Sequence, residues 1–346
     1  MIGKIQATYH SDQYKRHIML TIGIPRALHY YKYYPLWYSF FNDLGFQVIT
    51  SPPTCKTCLD EGSIRLISDT CLPVKAYVGH VLSLKDKCDL VFVPVIRSLE
   101  KKVHNCSRFL GLPDLVKSVV PEMSNLLEIE IDVNKGDKFL KKQMQHLRLA
   151  LNVDSGNFER SSQKAIQTYL KFLAVLRKRQ LTYQEGINLL YDQKEPPHRI
   201  AQPPEFKIGI TGHPYVTNDE YINHNLIQRI RKFKVEVITP EMISRRSLQK
   251  GIQTISEHSY WTSESEVIGA VGSYLENKLD GIIGVTAFSC GPDSLMMHLA
   301  ERKADANGLT PFLALTLEEH SSETGLVTRL EAFLEMVSRR KRNVRL

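Results

Sequence analysis

Three cysteines stand where thiolate chemistry would be favoured: Cys71 in SDTCLPVK, Cys106 in HNCSRFLGLPD and Cys290 at the end of GVTAFSC. Helix-starting residues accompany them, with Pro73 two places after Cys71 and Gly291, Pro292 and Asp293 directly after Cys290. The unpaired backbone N–H groups and dipole of a helix N-terminus stabilise negative charge and so lower a thiol's pKa. The same setting suits an anionic iron–sulfur cluster, whose sulfurs accept those N–H bonds. Three protein thiolates would leave one iron open to an outside ligand or substrate, whereas four would make a closed electron-transfer site. Spacing alone also leaves each cysteine a second reading, as a small buried hydrophobe.

The other cysteines divide differently. Cys55 and Cys58 form a CxxC in TCKTCLDEG, the pattern of a redox dithiol, of half a zinc site, or of ordinary cysteines at a helix start. No second CxxC or histidine pair at zinc spacing completes it. Cys88 precedes an apolar run and reads as packing. His80, His298 and His320, the last beside Glu318 and Glu319, read as structural, while His213 and Asp219 in HPYVTNDEY fit a capped turn as well as a site. Lys75, one helical turn beyond Cys71, would either neutralise an anionic cluster or substrate or sit solvated. Neither the glycine-rich dinucleotide fingerprint nor the P-loop pattern occurs, so nucleotide binding has no local support.

Elements that could position these residues follow from the apolar pattern. MLTIGI at 19–24 reads as a strand ending in Gly and Pro, Tyr34, Trp37, Tyr38 and Phe41 as a helix, and FQVIT at 46–50 as a strand. After the turn SPPT come a helical stretch, Val74 to Lys85, and a buried-type strand at 90–93 that ends at Pro94. Spacing such as Ala165, Tyr169, Phe172, Leu173 and Leu176 marks a helical connector over 135–194, closed by the proline-rich KEPPHRIAQPP. KIGITGHPY at 207–215 then repeats the logic of TIGIPRALHYY, and further strands fall at 235–239, 281–285 and 311–315, before a helix from Thr324 to Lys341.

Strands alternating with helices imply parallel sheets covered on both faces. The expected fold is α/β: two Rossmann-like, doubly wound parallel-sheet lobes with a helical connector and a C-terminal helix. The division is an N-terminal extension at 1–18, a first lobe at 19–134, the connector and linker at 135–204, a second lobe at 205–322, and a terminal helix and basic tail at 323–346. Ligands of such sheets sit beyond the carboxyl ends of the strands. Cys71 and Cys106 belong to the first lobe and Cys290 to the second, so a shared ligand would bridge the cleft.

With 346 residues and 42% hydrophobic content, the chain can bury two cores. The net charge of +8 is largely a tail property, because removing Arg339, Arg340, Lys341, Arg342 and Arg345 leaves +3. No aromatic interleaving or nucleic-acid module accompanies that tail, which reads as a solvated helix end, so no nucleic-acid partner is expected. No signal-like or membrane-length apolar run occurs, which places the chain in the cytoplasm with its thiols reduced and no membrane partner.

The stretches IGIPRALHYYKYYPLW, CLPVKAYVGH, NCSRFLGLPD, TGHPY, AFSCGPDS and TGLVTRLEAF together resemble the 2-hydroxyacyl-CoA dehydratase and benzoyl-CoA reductase superfamily, in its branch of acyl-CoA dehydratase activase-related proteins. They span residues 19–336 in the family's order. The resemblance implies repeated Rossmann-like lobes and a [4Fe-4S] cluster held by Cys71, Cys106 and Cys290. Cys55, Cys58 and Cys88 match no ligand of that pattern. In such systems an ATP-hydrolysing activator passes a low-potential electron to the dehydratase cluster, and some relatives use a double-cubane cluster to reduce small molecules. The family's Pro-Lys after the second cysteine is here Ser107 and Arg108, and Pro94-Val95 stands where an arginine often follows the proline. Arg97 and Arg108 would keep part of the positive charge.

The expected function is therefore an iron–sulfur protein, related to 2-hydroxyacyl-CoA dehydratase components, that accepts electrons from an ATP-dependent activator for single-electron reduction. It would pair with itself or with a related subunit. The rivals are a non-catalytic, small-molecule-binding or regulatory two-lobed protein, and a dithiol redox protein built on Cys55 and Cys58.

Overall fold

In the computed structural model, which describes residues 19–195, 204–256 and 261–344, the short apolar runs become two parallel sheets. The first contains β1 (Thr21–Ile24), β2 (Gln47–Thr50), β3 (Leu90–Ser98) and β4 (Leu126–Asp132), in the order β2-β1-β3-β4. Its helices are α1 (Tyr30–Asp43), α2 (Lys56–Ile64), α3 (Leu72–Ser83), α4 (Ser107–Leu110) and α5 (Leu112–Val119). The connector is α6 (Asp137–Ala150), α7 (Ser155–Arg179) and α8 (Tyr183–Tyr191).

The second sheet repeats the first, with β5 (Phe206–Gly212), β6 (Val235–Ile238), β7 (Gly281–Ala287) and β8 (Phe312–Leu317) in the order β6-β5-β7-β8. Around it lie α9 (Pro214–Thr217), α10 (Leu226–Arg231), α11 (Arg245–Ile255), α12 (Thr262–Glu276), α13 (Gly291–Asn307) and α14 (Glu323–Val344). The likeness of TIGIPRALHYY to KIGITGHPY is thus structural, since β1 and β5 occupy the same place in their sheets. Two parallel sheets flanked by helices are the α/β fold expected. The extension at 1–18, most of the proline-rich linker and Arg345 lie outside the described residues.

Two details depart from the sequence reading. β3 does not stop at Pro94 but runs to Ser98, because β1 pairs with β3 only as far as Val91 and leaves β4 as the one neighbour opposite Pro94. A missing N–H costs nothing on a side with no acceptor. The strand β4 was not anticipated. Its glutamates alternate with apolar residues in LLEIEID, which shortens the apolar run on which the other strands were recognised.

The aromatic face of α1 lies on Phe92 and Leu127 of the first sheet and is covered by Phe158, Phe172 and Leu176 of α7. In the second core, β5, β7 and β8 meet Leu326, Leu330, Phe333 and Leu334 of α14, together with Leu59, Leu72 and Ala76 of α2 and α3. The two halves therefore share a packed seam. Polar ties cross it: Lys75 Nζ donates to Glu319 Oε2 at 2.7 Å and to the Ser68 carbonyl at 3.0 Å, and the Thr262 amide donates to the His104 carbonyl at 2.9 Å. Lys32 pairs with Glu266 across the same seam. Lys75 is thus neither solvated nor free to neutralise a ligand, because Glu319 takes its charge. Glu319→Gln should leave the ammonium short of its counter-charge and lower stability by about 1–3 kcal/mol, seen as a lower urea midpoint with unchanged slope.

The connector is tied to the second half by Glu241, whose Oε1 accepts from the Tyr183 amide at 3.0 Å. Burial pushes this carboxyl from 4.5 up to about 7, against the opposing effect of its hydrogen bonds. Between those pH values the folded chain keeps a proton that the unfolded chain has released. Stability contributed here is complete below pH 4.5 and is lost as pH rises through about 7. Glu241→Gln should remove that slope, cutting the stability difference between pH 5 and pH 8 by on the order of 3 kcal/mol in denaturant titrations.

Candidate metal centre

Each sheet reverses its winding between its two central strands, β1 and β3 in one and β5 and β7 in the other. The crevice beyond the carboxyl ends of such strands is where open α/β sheets hold ligands. Cys106 follows β3, His213 follows β5 directly, and Cys290 follows β7. Cys71 joins them from the start of α3. The turn out of β5 needs Gly212, since a Cβ there would lie 2.4 Å from the Val285 carbonyl and its φ is +154°.

All of the expected ligand cysteines are helix N-caps: Cys71 of α3, Cys106 of α4 and Cys290 of α13. None of these side chains makes a close capping hydrogen bond, although the amides of Val74 and Asp293 still bear on the Cys71 and Cys290 sulfurs. All three are half-buried. Burial pushes the Cys71 thiol up, the Val74 amide and Arg108 oppose this, and the Cys106 thiolate adds to it. Cys290 is pushed up first by burial, then by Asp293, and further by Cys71 and Cys106, against the Asp293 amide. The three thiols therefore lie within electrostatic reach of one another. Holding them together as thiolates requires positive charge, which a bound metal supplies.

Tyr215 walls the same space. Its ring stacks on His213 with centroids 4.8 Å apart and meets Phe109 edge-on at 5.7 Å. Its hydroxyl is held well above the usual phenol range by burial and by the charges of Asp293, Cys290, Cys106 and Cys71. Asp293 is 0% and His213 5% exposed, and Nε2 of the histidine lies 2.8 Å from Oδ1 of the carboxylate. The contact is close enough for an ion pair but lacks hydrogen-bond alignment, because neither Asp293 oxygen has a hydrogen-bond partner among the described residues. His213, Cys290 and Asp293 offer one ligand atom each, all within 4.8 Å of one another, and could hold a metal ion.

Other residues singled out from the sequence lie elsewhere. Asp219 accepts from the Tyr221 and Ile222 amides at 3.1 Å and from Thr54, so it is the cap of a turn while its neighbour His213 faces the centre. His80 is buried between Ser51 and Thr54 and pushed down to about 3 by that burial. His298 and His320 are exposed. Arg97 is taken by Glu130 at 2.5 Å, so of the two arginines expected to compensate charge, Arg108 alone acts on a thiol. In the CxxC, Cys55 is exposed but Cys58 is packed on α3, with a thiol pushed up to about 12 by burial and by Cys55. That is the opposite of an activated dithiol. Cys88 donates weakly to the Leu84 carbonyl beside Gly23, as a packing residue would. Asp293 and Tyr215 were not recognised as site residues. The signal for Asp293 was its place three residues after Cys290 at a helix start.

The family model for the CoA enzyme activase uncharacterised domain (DUF2229) matches residues 21–243, well over half of the 346. The chain belongs to this family. The DUF2229 match contains Cys71, Cys106 and His213, together with the first sheet, the connector, β5 and β6. Cys290 and Asp293 lie beyond the DUF2229 match, at the start of α13, after β7. No curated protein matches the chain. No helix among the described residues is long and apolar enough to cross a membrane.

Proposed function

We propose that this chain holds a [4Fe-4S] cluster through Cys71, Cys106 and Cys290 and serves, as a relative of 2-hydroxyacyl-CoA dehydratase components, as an electron-accepting component for single-electron reduction. The observation that carries this reading is that three cysteines, each the N-cap of a helix, bear electrostatically on one another or on the shared neighbour Tyr215. The donor set fits the group. A single ion draws its ligands close together, whereas a cluster spreads its thiolates over separate irons, so the three cysteines need not lie as close as the ligands of one ion.

When bound, the cluster would supply one-electron chemistry at an iron that no protein thiolate covers. The amides of Val74 and Asp293 lower the cost of charge on Cys71 and Cys290, and Arg108 adds a cation beside Cys71. Phe109 and Tyr215 keep water from one side. The DUF2229 description names a CoA enzyme activase domain, which supports an activator-type interaction, and the ATP-dependent electron donor is part of the proposal. Reduced thiols of this kind suit the cytoplasm. The test is reduction of the anaerobically purified protein by a low-potential donor. A new paramagnetic signal of about one spin per cluster should appear by electron paramagnetic resonance, and a silent spectrum from iron-loaded protein would remove the electron-accepting role.

A further inference from the structure

We propose that His213, Cys290 and Asp293 form a site for one borderline divalent cation, Zn2+ or Fe2+, with a fourth position left for water or a substrate oxygen. This site uses a ligand set different from that of the cluster and shares only Cys290 with it. The two occupants are therefore alternatives, and the single-ion form is a cluster-free state of the chain.

Asp293 is 0% exposed and receives no hydrogen bond from any described residue, which makes its carboxylate among the costliest groups a protein can bury. Its neighbour His213 does not satisfy it, since the 2.8 Å contact lacks hydrogen-bond alignment. An ordinary buried histidine–aspartate pair would point N–H at O. A cation between them would satisfy the carboxylate, the imidazole nitrogen and the Cys290 sulfur at once, and all three ligand atoms already lie within 4.8 Å.

The local structure holds the donors there. Stacking on Tyr215 fixes the imidazole ring, and the Cys290 carbonyl accepts from the Ser294 amide at 3.1 Å, which anchors the helix turn carrying Asp293. One nitrogen, one sulfur and one carboxylate oxygen make a donor set for zinc or ferrous iron, not for magnesium or calcium, which prefer oxygen alone. Three protein ligands with an open fourth position are the arrangement of zinc sites that activate water.

The experiment titrates Co2+ into the full chain, purified without oxygen and stripped of iron. One Co2+ per chain should bind, with a sulfur-to-metal charge-transfer band and visible bands of tetrahedral strength. His213→Ala and Asp293→Asn should weaken binding by more than about tenfold, beyond the effect of losing an outer partner. Cys290→Ser should abolish the charge-transfer band. Cys71→Ser and Cys106→Ser should change neither, although both should lose the cluster, so failure of the cluster reading and failure of this one are distinguishable. Circular dichroism verifies folding, and Asp293→Ala provides a second variant if Asp293→Asn does not fold. The proposal is overturned by absence of Co2+ uptake, by full binding in folded Asp293 and His213 variants, or by loss of the bands in Cys71→Ser and Cys106→Ser.

Discussion

Replacing Cys71, Cys106 or Cys290 by serine should cost the anaerobically purified protein most of its iron. The parent chain should carry about four iron and about four acid-labile sulfide per molecule, with the broad visible absorption of thiolate-bound iron. A serine hydroxyl at these N-caps would turn towards its own helix, because serine is a strong capping residue. The variant would therefore lose the ligand and gain a competing hydrogen bond. Cys88→Ser and Cys55→Ser serve as controls and should keep their iron, since neither thiol lies with the three. Full retention of iron in Cys290→Ser would falsify the ligand assignment. Absence of iron even after anaerobic reconstitution would favour a two-lobed protein that closes on a small molecule.

Gly79→Ala should be the most damaging of the conservative stability changes. A Cβ at Gly79 would lie 1.8 Å from the Cys58 carbonyl oxygen, and one at Gly62 would lie 1.9 Å from the Lys75 carbonyl oxygen. At these two positions α2 and α3 touch backbone to backbone, and no side-chain rotation can relieve the clash. Separating the helices should cost about 3 kcal/mol, the upper end for overpacking, and should also lower iron content because α3 begins at Cys71. Gly291→Ala is the control: nothing lies within 4 Å of its Cβ position, so a change within about 0.5 kcal/mol is expected. An unchanged urea midpoint in Gly79→Ala would mean that the helices are free to part.

Much of this architecture was legible in the sequence because the central strands are buried on both faces and so appear as unbroken apolar runs. β7 is buried along its whole length, and its counterpart β3 nearly so. β4 was not legible, as its alternating glutamates resemble a surface segment. The expected ligand cysteines could be picked out because each stands at a helix start, and Cys106 and Cys290 also follow a central strand. Spacing alone could not show that Cys71 acts on Cys290, since the two are separated by most of the chain. Lys75 shows the same limit. Its position one turn after Cys71 suggested a cation for the centre, but its partner Glu319 comes from the other half and is visible only in three dimensions. Asp219 and His213 stand six residues apart in one motif, yet the turn between them sends one to a cap and the other to the crevice.

The division of the proposed ligands between the two sheets has a consequence for assembly. Two thiols are available once the first half has formed, but the third arrives only after β7 and α13 have been made and docked. On the proposed assignment, loading would be a late event that reports on completion of the whole seam, and a nascent or truncated chain would hold iron poorly. A cluster held as proposed would in turn fasten the halves together, so its removal should increase amide hydrogen exchange first at Cys71, Cys106 and Cys290 and only later in the sheets behind them.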